Sequence, residues 1–270
     1  MHKGTMQEHK YAGDYNHPVI AELYDQTETY TDDITLIRKL VGNSEKLNIL
    51  ECFGGTGRIL IPLAQDGHRI TGIEIARAMS SRAIEKLGRL GDEVRKRVTF
   101  KVQDVFDEDW GKGYDVVIMG ANAFYELTSA EMQEQCIGYA KEALVSSGRL
   151  FIDNDDYKGG WEKGPFGKVR VVFEGVCSDG TYGRFSKKDV SFDAVLGVLH
   201  MECTLYIRDP SGVEKQERYM AKKHPVSAAE VEKWLAKHGF SILHLFGDRK
   251  GNPYTSQSER AIFWAQNGPL

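Results

Sequence analysis

Three carboxylates stand where an ordered ligand would meet them. Glu51 closes the apolar run L-N-I-L-E and is followed by C-F-G-G-T-G, so Gly54, Gly55 and Gly57 crowd the turn behind it. Glycine has no Cβ, so this turn can take positive φ and let a ligand lie against backbone N–H groups. Glu74 ends a second apolar run, R-I-T-G-I-E, and Asp104 follows a third, V-T-F-K-V-Q-D. A carboxylate at the loop would repel the paired phosphates of a dinucleotide, and the phosphate fingerprint G-x-G-x-x-G would need glycine at Leu60. The chemistry favoured instead is that of a cationic ligand, an amine or a sulfonium. One such acid reads as a solvated loop carboxylate; three in order behind a glycine turn read as a site.

Holding these groups takes a series of strands and helices. Arg58 to Gln65 is apolar at helical spacing, and Arg77 to Leu90 carries Met79, Ala83, Leu87 and Leu90 on one face. Tyr114 to Met119 (Y-D-V-V-I-M) reads as a strand buried on both sides. Ser129 to Leu144 is the next helix, with Met132, Cys136, Ala140 and Ala143 inward, and Gly148 to Asp153 the fifth strand. Crossovers of that length imply parallel strands joined in the right-handed sense. Beyond Asp153 the alternation stops. Val169–Val176, Tyr182–Phe192, Leu196–Ile207 and Val213–Met220 follow as an antiparallel meander, two of the connections carrying the turn signals S-D-G and D-P-S-G. The capping box S-A-A-E at Ser227–Glu230 then opens a helix that Gly239 stops, and Phe240–Phe246 and Glu259–Ala265 read as the last strands.

Composition bounds the function. A chain of 270 residues, 41% apolar with a formal charge of −4, has a balance that argues against nucleic acid as the main partner, which usually demands a basic face. Cys52, Cys136, Cys177 and Cys203 are scattered with no C-x-x-C pair, which predicts reduced core cysteines and no metal site. No run approaches the roughly 20 apolar residues of a spanning helix, so the expectation is a cytoplasmic enzyme without membrane partners.

The run E-C-F-G-G-T-G resembles the first motif of the class I S-adenosylmethionine-dependent methyltransferases, typically E-L-G-C-G-T-G. Glu51, Gly55, Thr56 and Gly57 match it, Gly54 takes the usual cysteine position, and Phe53 departs at the first glycine. The resemblance implies an α/β, Rossmann-like, doubly wound and mostly parallel sheet of seven strands with an inserted antiparallel β lid. Residues 1–270 would then form a single domain, with a helical cap over 1–45, a cofactor core over 46–154, the lid over 155–224 and the completion of the sheet over 225–270. S-adenosylmethionine would be held by Glu51, Phe53, Gly54, Gly55 and Gly57, by Glu74 and Ile75 toward the ribose, by Met79, Asp104 and Val105 toward the adenine, and by Gly120 and Tyr24. The inserted strands resemble the lids of small-molecule enzymes such as glycine and amino-sugar N-methyltransferases.

Among the tyrosines of the amino-terminal forty residues, Tyr11, Tyr15, Tyr24 and Tyr30, Tyr15 and Tyr24 are the candidates for ligand contact. After the fourth strand many relatives read N-S-x-x-H; here Asn122 matches the asparagine and Glu126 stands at the histidine. Asn122, Glu126 and Tyr15 are therefore the candidate catalytic groups, with Glu126 drawing in an ammonium and accepting its proton. Asp153, Asn154, Asp155 and Asp156 read either as an acidic rim for a cationic or polyhydroxylated acceptor or as a solvated turn. The expectation is methyl transfer to a small-molecule acceptor, first an amine nitrogen, with O- or C-methylation and a non-catalytic S-adenosylmethionine-binding module as alternatives. A homo-oligomer is left open. The D/N-P-P-Y signature of base methylation is absent where G-A-N-A-F-Y stands.

Overall fold

The computed structural model describes residues 13–42, 45–106 and 110–268; Tyr11 lies outside them. The chain divides into two compact units, one of Tyr30–Tyr125, Ala130–Lys158 and Val226–Leu270, the other of Met1–Thr29, Glu126–Ser129 and Gly159–Pro225. The division falls between Thr29 and Tyr30, inside the segment 1–45 that the sequence reads as one cap.

The smaller unit opens with α1 (Pro18–Thr27), whose Pro18 suits the first helical turn and whose cap, His17, accepts from the Val19 N–H through Nδ1 at 3.2 Å. The larger unit begins with α2 (Asp32–Val41), the amphipathic stretch read from Ile34, Ile37 and Leu40. There follow β1 (Asn48–Cys52), α3 (Leu60–Gln65), β2 (Arg69–Glu74), α4 (Arg77–Gly88), the short α5 (Asp92–Arg95) and β3 (Val98–Val102). Then come β4 (Tyr114–Met119), α6 (Ala130–Ala143) and β5 (Leu144–Asp155). Four strands of the smaller unit, β6 (Val169–Val176), β7 (Tyr182–Asp193), β8 (Val198–Arg208) and β9 (Glu214–Lys223), precede α7 (Ala228–Lys237), β10 (Phe240–Phe246) and β11 (Arg260–Asn267).

The larger unit holds one seven-stranded sheet in the order β3-β2-β1-β4-β5-β11-β10, parallel except where β11 runs antiparallel to both neighbours. Its core joins Ile34 and Ile37 of α2 to Ile49, Leu60, Phe151 and Trp264; each fully buried aliphatic or phenyl side chain stabilises by about 1.5–3 kcal/mol. Ser227 and Glu230 form the capping box of α7 as the sequence predicts. One boundary differs. β5 starts at Leu144, four residues before the expected Gly148, and turns at the left-handed Ser147 (φ 63°). The Asn267 amide donates to the Val145 carbonyl there at 3.0 Å, which satisfies backbone that the main ladder misses.

In the smaller unit β6-β7-β8-β9 form an antiparallel meander, and Ile20 and Leu23 of α1 share a core with Phe173, Phe185, Cys203 and Leu205. All four cysteines are buried free thiols. Among the described residues no helix is long and apolar enough to cross a membrane.

Candidate active site

Parallel register brings the ends of β1, β2 and β4 level: Cys52 stands across from Ile73 on one side and Met119 on the other. The loop after β1 starts at Phe53, which takes φ 62° without being glycine. Phe53 thus adopts the left-handed backbone that the first glycine of the motif would supply, at a cost of roughly 1–2 kcal/mol. Gly54 donates to the Ile73 carbonyl at 2.8 Å and Gly57 to the Gly54 carbonyl at 2.9 Å, closing the turn before α3. Gly57 is required there: at φ 79°, an added Cβ would also lie 3.0 Å from the Ile61 Cδ1.

Glu51 lies under this loop with 4% of its surface exposed. Its Oε2 is buried without a hydrogen-bond partner, while the carboxylate accepts from the Leu60 N–H. Burial pushes its pKa up to about 8; Asp33 and Glu74 add to the rise, and Arg58 and the Leu60 bond oppose it. An orphaned, deeply buried carboxylate beneath this glycine loop is poised for a cationic group that supplies the missing charge.

Glu74, at the end of β2, joins the neighbouring loops. One oxygen accepts from the Gly55 N–H at 2.9 Å and the other from the Ala76 N–H at 2.6 Å, and each retains a second lone pair for a ligand hydroxyl. Burial raises its pKa, partly offset by these backbone bonds. Met79 packs over the loop, with Cε 3.6 Å from where a Cβ on Gly55 would stand. Asp104 is buried beyond β3 and accepts from the Phe106 N–H at 3.0 Å; Val105 beside it is buried and Ile75 is exposed. Gly120, after β4, leaves room for Ile59, whose Cδ1 would lie 2.7 Å from an added Cβ. The structure therefore gathers Glu51, Phe53, Gly54, Gly55, Gly57, Glu74 and Met79 around one loop. Asp104 is tied to them through the Gln103 N–H, which donates to the Glu74 carbonyl at 3.1 Å. Glu74→Ala should weaken S-adenosylmethionine binding by about 1–3 kcal/mol, the cost of unpaired ligand donors; calorimetric titration giving wild-type affinity would remove Glu74 from the site.

The ends of β4 and β5 carry a second concentration of strain. Ala121 (φ 57°) and Asn122 (φ 63°) are consecutive left-handed residues, so three of the four described non-glycine residues with positive φ stand just after β1 and β4. Backbone strain gathers at functional sites when the surroundings over-determine it, and here they do. Asn122 Oδ1 accepts from the Asp155 N–H at 2.7 Å and from Arg260 at 2.9 Å, while its Nδ2 donates to Asp155 at 3.0 Å. The Asn122 amide is thus used in holding the loop against β5.

The acidic rim read from Asp153–Asp156 is corrected. Asp153 is fully buried and paired with Arg249 at 2.8 Å and Arg260 at 2.6 Å. Asp155 pairs with Arg260; Asp156 accepts from Tyr254 and from the Ala228 N–H, and pairs with Lys158. Arg249, Tyr254 and Arg260 lie about a hundred residues downstream, beyond local pattern. Arg249 and Arg58 both rest against the Tyr30 ring, 4.2 and 4.1 Å from its centroid, and Arg58 forms a fork with the buried Asp33.

Tyr15, Tyr24 and Glu126 belong to the smaller unit. Tyr15 and Tyr24 meet edge to face at 6.3 Å, and Tyr24 meets Phe173 at 5.9 Å. Glu126 stands 3.6 Å from both Lys187 and Lys223. Burial alone would raise its pKa, but the two ammonium groups bring it down to about 2. That charge state suits an anion that anchors better than one that accepts protons.

Comparison with known proteins bears on the domain and its fold. Residues 50–150 match the family model of a methyltransferase domain. A protein of Geobacillus sp. (strain WCH70) named as a methyltransferase is 20% identical over 237 residues, covering 84% of this chain and 87% of its own. Among solved structures, the CcbJ methyltransferase of Streptomyces caelestis superposes with a TM-score of 0.71 at 16% identity, over 95% of this chain and 98% of that one. The sugar N-methyltransferase KedS8 of Streptoalloteichus sp. gives 0.71 at 18% identity over 100% and 99%. At these identities the superpositions speak to fold.

Proposed function

With a methyltransferase domain at residues 50–150 and the class I fold around it, the chain is an S-adenosylmethionine-dependent methyltransferase, and we propose that it methylates an amine nitrogen of a small molecule. The observation that carries the cofactor assignment is the orphaned Glu51 oxygen beneath a loop of left-handed backbone. The residues fit the group: Glu51 would complement its positive charge, Glu74 would offer lone pairs to ribose hydroxyls, and Met79 and Asp104 would lie toward the base. When bound, it supplies a methyl already activated on a sulfonium. The protein's part is then to hold an uncharged nucleophile in line, and positioning of that kind supplies roughly 7–11 kcal/mol in well-oriented systems. The strained Ala121–Asn122 turn, fixed by Asp155 and Arg260, is the rigid element for that task.

The acceptor reading draws support from KedS8, a sugar N-methyltransferase whose likeness runs through the inserted antiparallel strands as well as the core. Release of S-adenosylhomocysteine from the full chain with a panel of small amines, amino sugars included, tests it. Cofactor binding with no release across the panel would turn the reading to a binding module, and turnover only with hydroxyl or carbon acceptors would move the atom.

Glu126 enters this reading as an anchor. Its paired lysines lie on β7 and β9, so it fastens the segment after β4 to the antiparallel sheet of its own unit. Glu126→Gln should lower turnover by a factor that stays constant with pH. A base, by contrast, typically contributes 10²–10⁴-fold and its loss is rescued at higher pH, where more amine is already neutral. Rate profiles of the two proteins over the same pH range distinguish these roles.

A further inference from the structure

We infer that Asn154 reads the methyl acceptor, its buried amide offering the hydrogen-bond donors and acceptor that recognise an uncharged amino or hydroxyl group. The inference rests on the small-molecule amine reading above and names the chemistry of that acceptor. Asn154 is the next-to-last residue of β5, at the carboxyl edge of the sheet where open α/β folds take their ligands. Only 2% of it is exposed, yet neither Oδ1 nor Nδ2 has a hydrogen-bond partner. Its neighbours differ. Asp153 and Asp155 project to the other face and are closed by Arg249, Arg260 and Asn122. Asp156, on the same face, is occupied by Tyr254, Lys158 and the N–H that opens α7.

A fold does not bury an amide with both ends unserved without compensation, because each lost partner costs the full desolvation of the group. Removing the amide would be cheap for stability alone, so its retention points to a ligand that completes it. The charges at this strand end compensate one another, which leaves a neutral group as the open valence. An amide with two donor hydrogens and one acceptor oxygen complements a vicinal amino alcohol, whose hydroxyl accepts while its amine N–H donates.

The test uses the full chain saturated with S-adenosylhomocysteine and two probes, glucosamine, a vicinal amino alcohol, and cyclohexylamine, which carries the amine alone. In an NMR titration the wild type should bind glucosamine at least about tenfold more tightly, as a site built for a hydroxyl rejects an analogue lacking it. Asn154→Leu, close in size, should erase that preference, leave S-adenosylhomocysteine affinity within about twofold, and raise the melting temperature by roughly 2–4 °C. Equal binding of the probes by the wild type, or a preference that survives in Asn154→Leu, overturns the inference. Melting temperatures below wild type in both Asn154→Leu and the smaller Asn154→Val would also overturn it, since the amide would then be bonded within the fold. Failure of the parent reading is seen separately, as absence of S-adenosylhomocysteine release with every amine.

Discussion

Glu51→Gln should weaken S-adenosylmethionine binding by roughly 10–100-fold, the worth of a hydrogen bond to a charged group, while making the free protein more stable at neutral and alkaline pH. The folded-state pKa of Glu51 is raised to about 8 from an ordinary 4.5. Its contribution to stability is therefore fully present below about pH 4.5 and is lost as pH rises through about 8, because the unfolded chain ionises there while the folded chain resists. The loss is on the order of 5 kcal/mol when complete. Glutamine escapes it, so the gap in melting temperature between variant and wild type should widen across that window and then stay level. A cationic ligand lowers the pKa of the carboxyl it meets. Binding to the wild type should accordingly release a proton near neutrality and tighten with rising pH. Calorimetry in buffers of different ionisation enthalpy reads the proton directly, and an identical proton count in Glu51→Gln would remove Glu51 from the ligand.

Asp153→Ala should cost about 3–5 kcal/mol of folding stability, the usual penalty for stranding a buried charge partner. Two guanidinium groups, on Arg249 and Arg260, lose their shared counter-charge, and neither is well placed to reach water, with side chains 14% and 18% exposed. Arg260 also braces Asn122, so turnover should fall further than stability alone explains. Asp155→Ala is the control. Its side chain is half exposed, and an exposed pair is worth about 0–1 kcal/mol. Chemical denaturation of both variants measures the contrast, and equal losses would mean that the network does not centre on Asp153.

Where the fold was legible, it was because local chemistry and burial agree. The runs ending in Glu51 and Glu74 are apolar, flanked by turn residues and too short for helices, so they read as strands. Ser227 and Glu230 satisfy each other through a pattern visible within four residues. The site was half legible for the same reason: the three acids and the glycine loop are local features. What escaped depends on distance. Nothing near Asp153 announces Arg249 and Arg260, nothing near Glu126 announces Lys187 and Lys223, and nothing near Arg58 announces Asp33; each pair forms only once the chain is assembled. Phe53 was readable as a departure from the motif, but its left-handed backbone was not, since the surrounding loop imposes it against the residue's own preference.

The double grip of Glu74 on the Gly55 and Ala76 N–H groups bears on how fast the site fills. Two loops clamped by one carboxylate have already surrendered their conformational entropy during folding, so an arriving ligand need not order them. Association should then follow simple second-order kinetics, its rate linear in ligand concentration with no slow isomerisation step behind it. Loosening that clamp would transfer the ordering cost to the encounter itself, and the slowed on-rate would be felt even by a ligand fragment that never touches the ribose side.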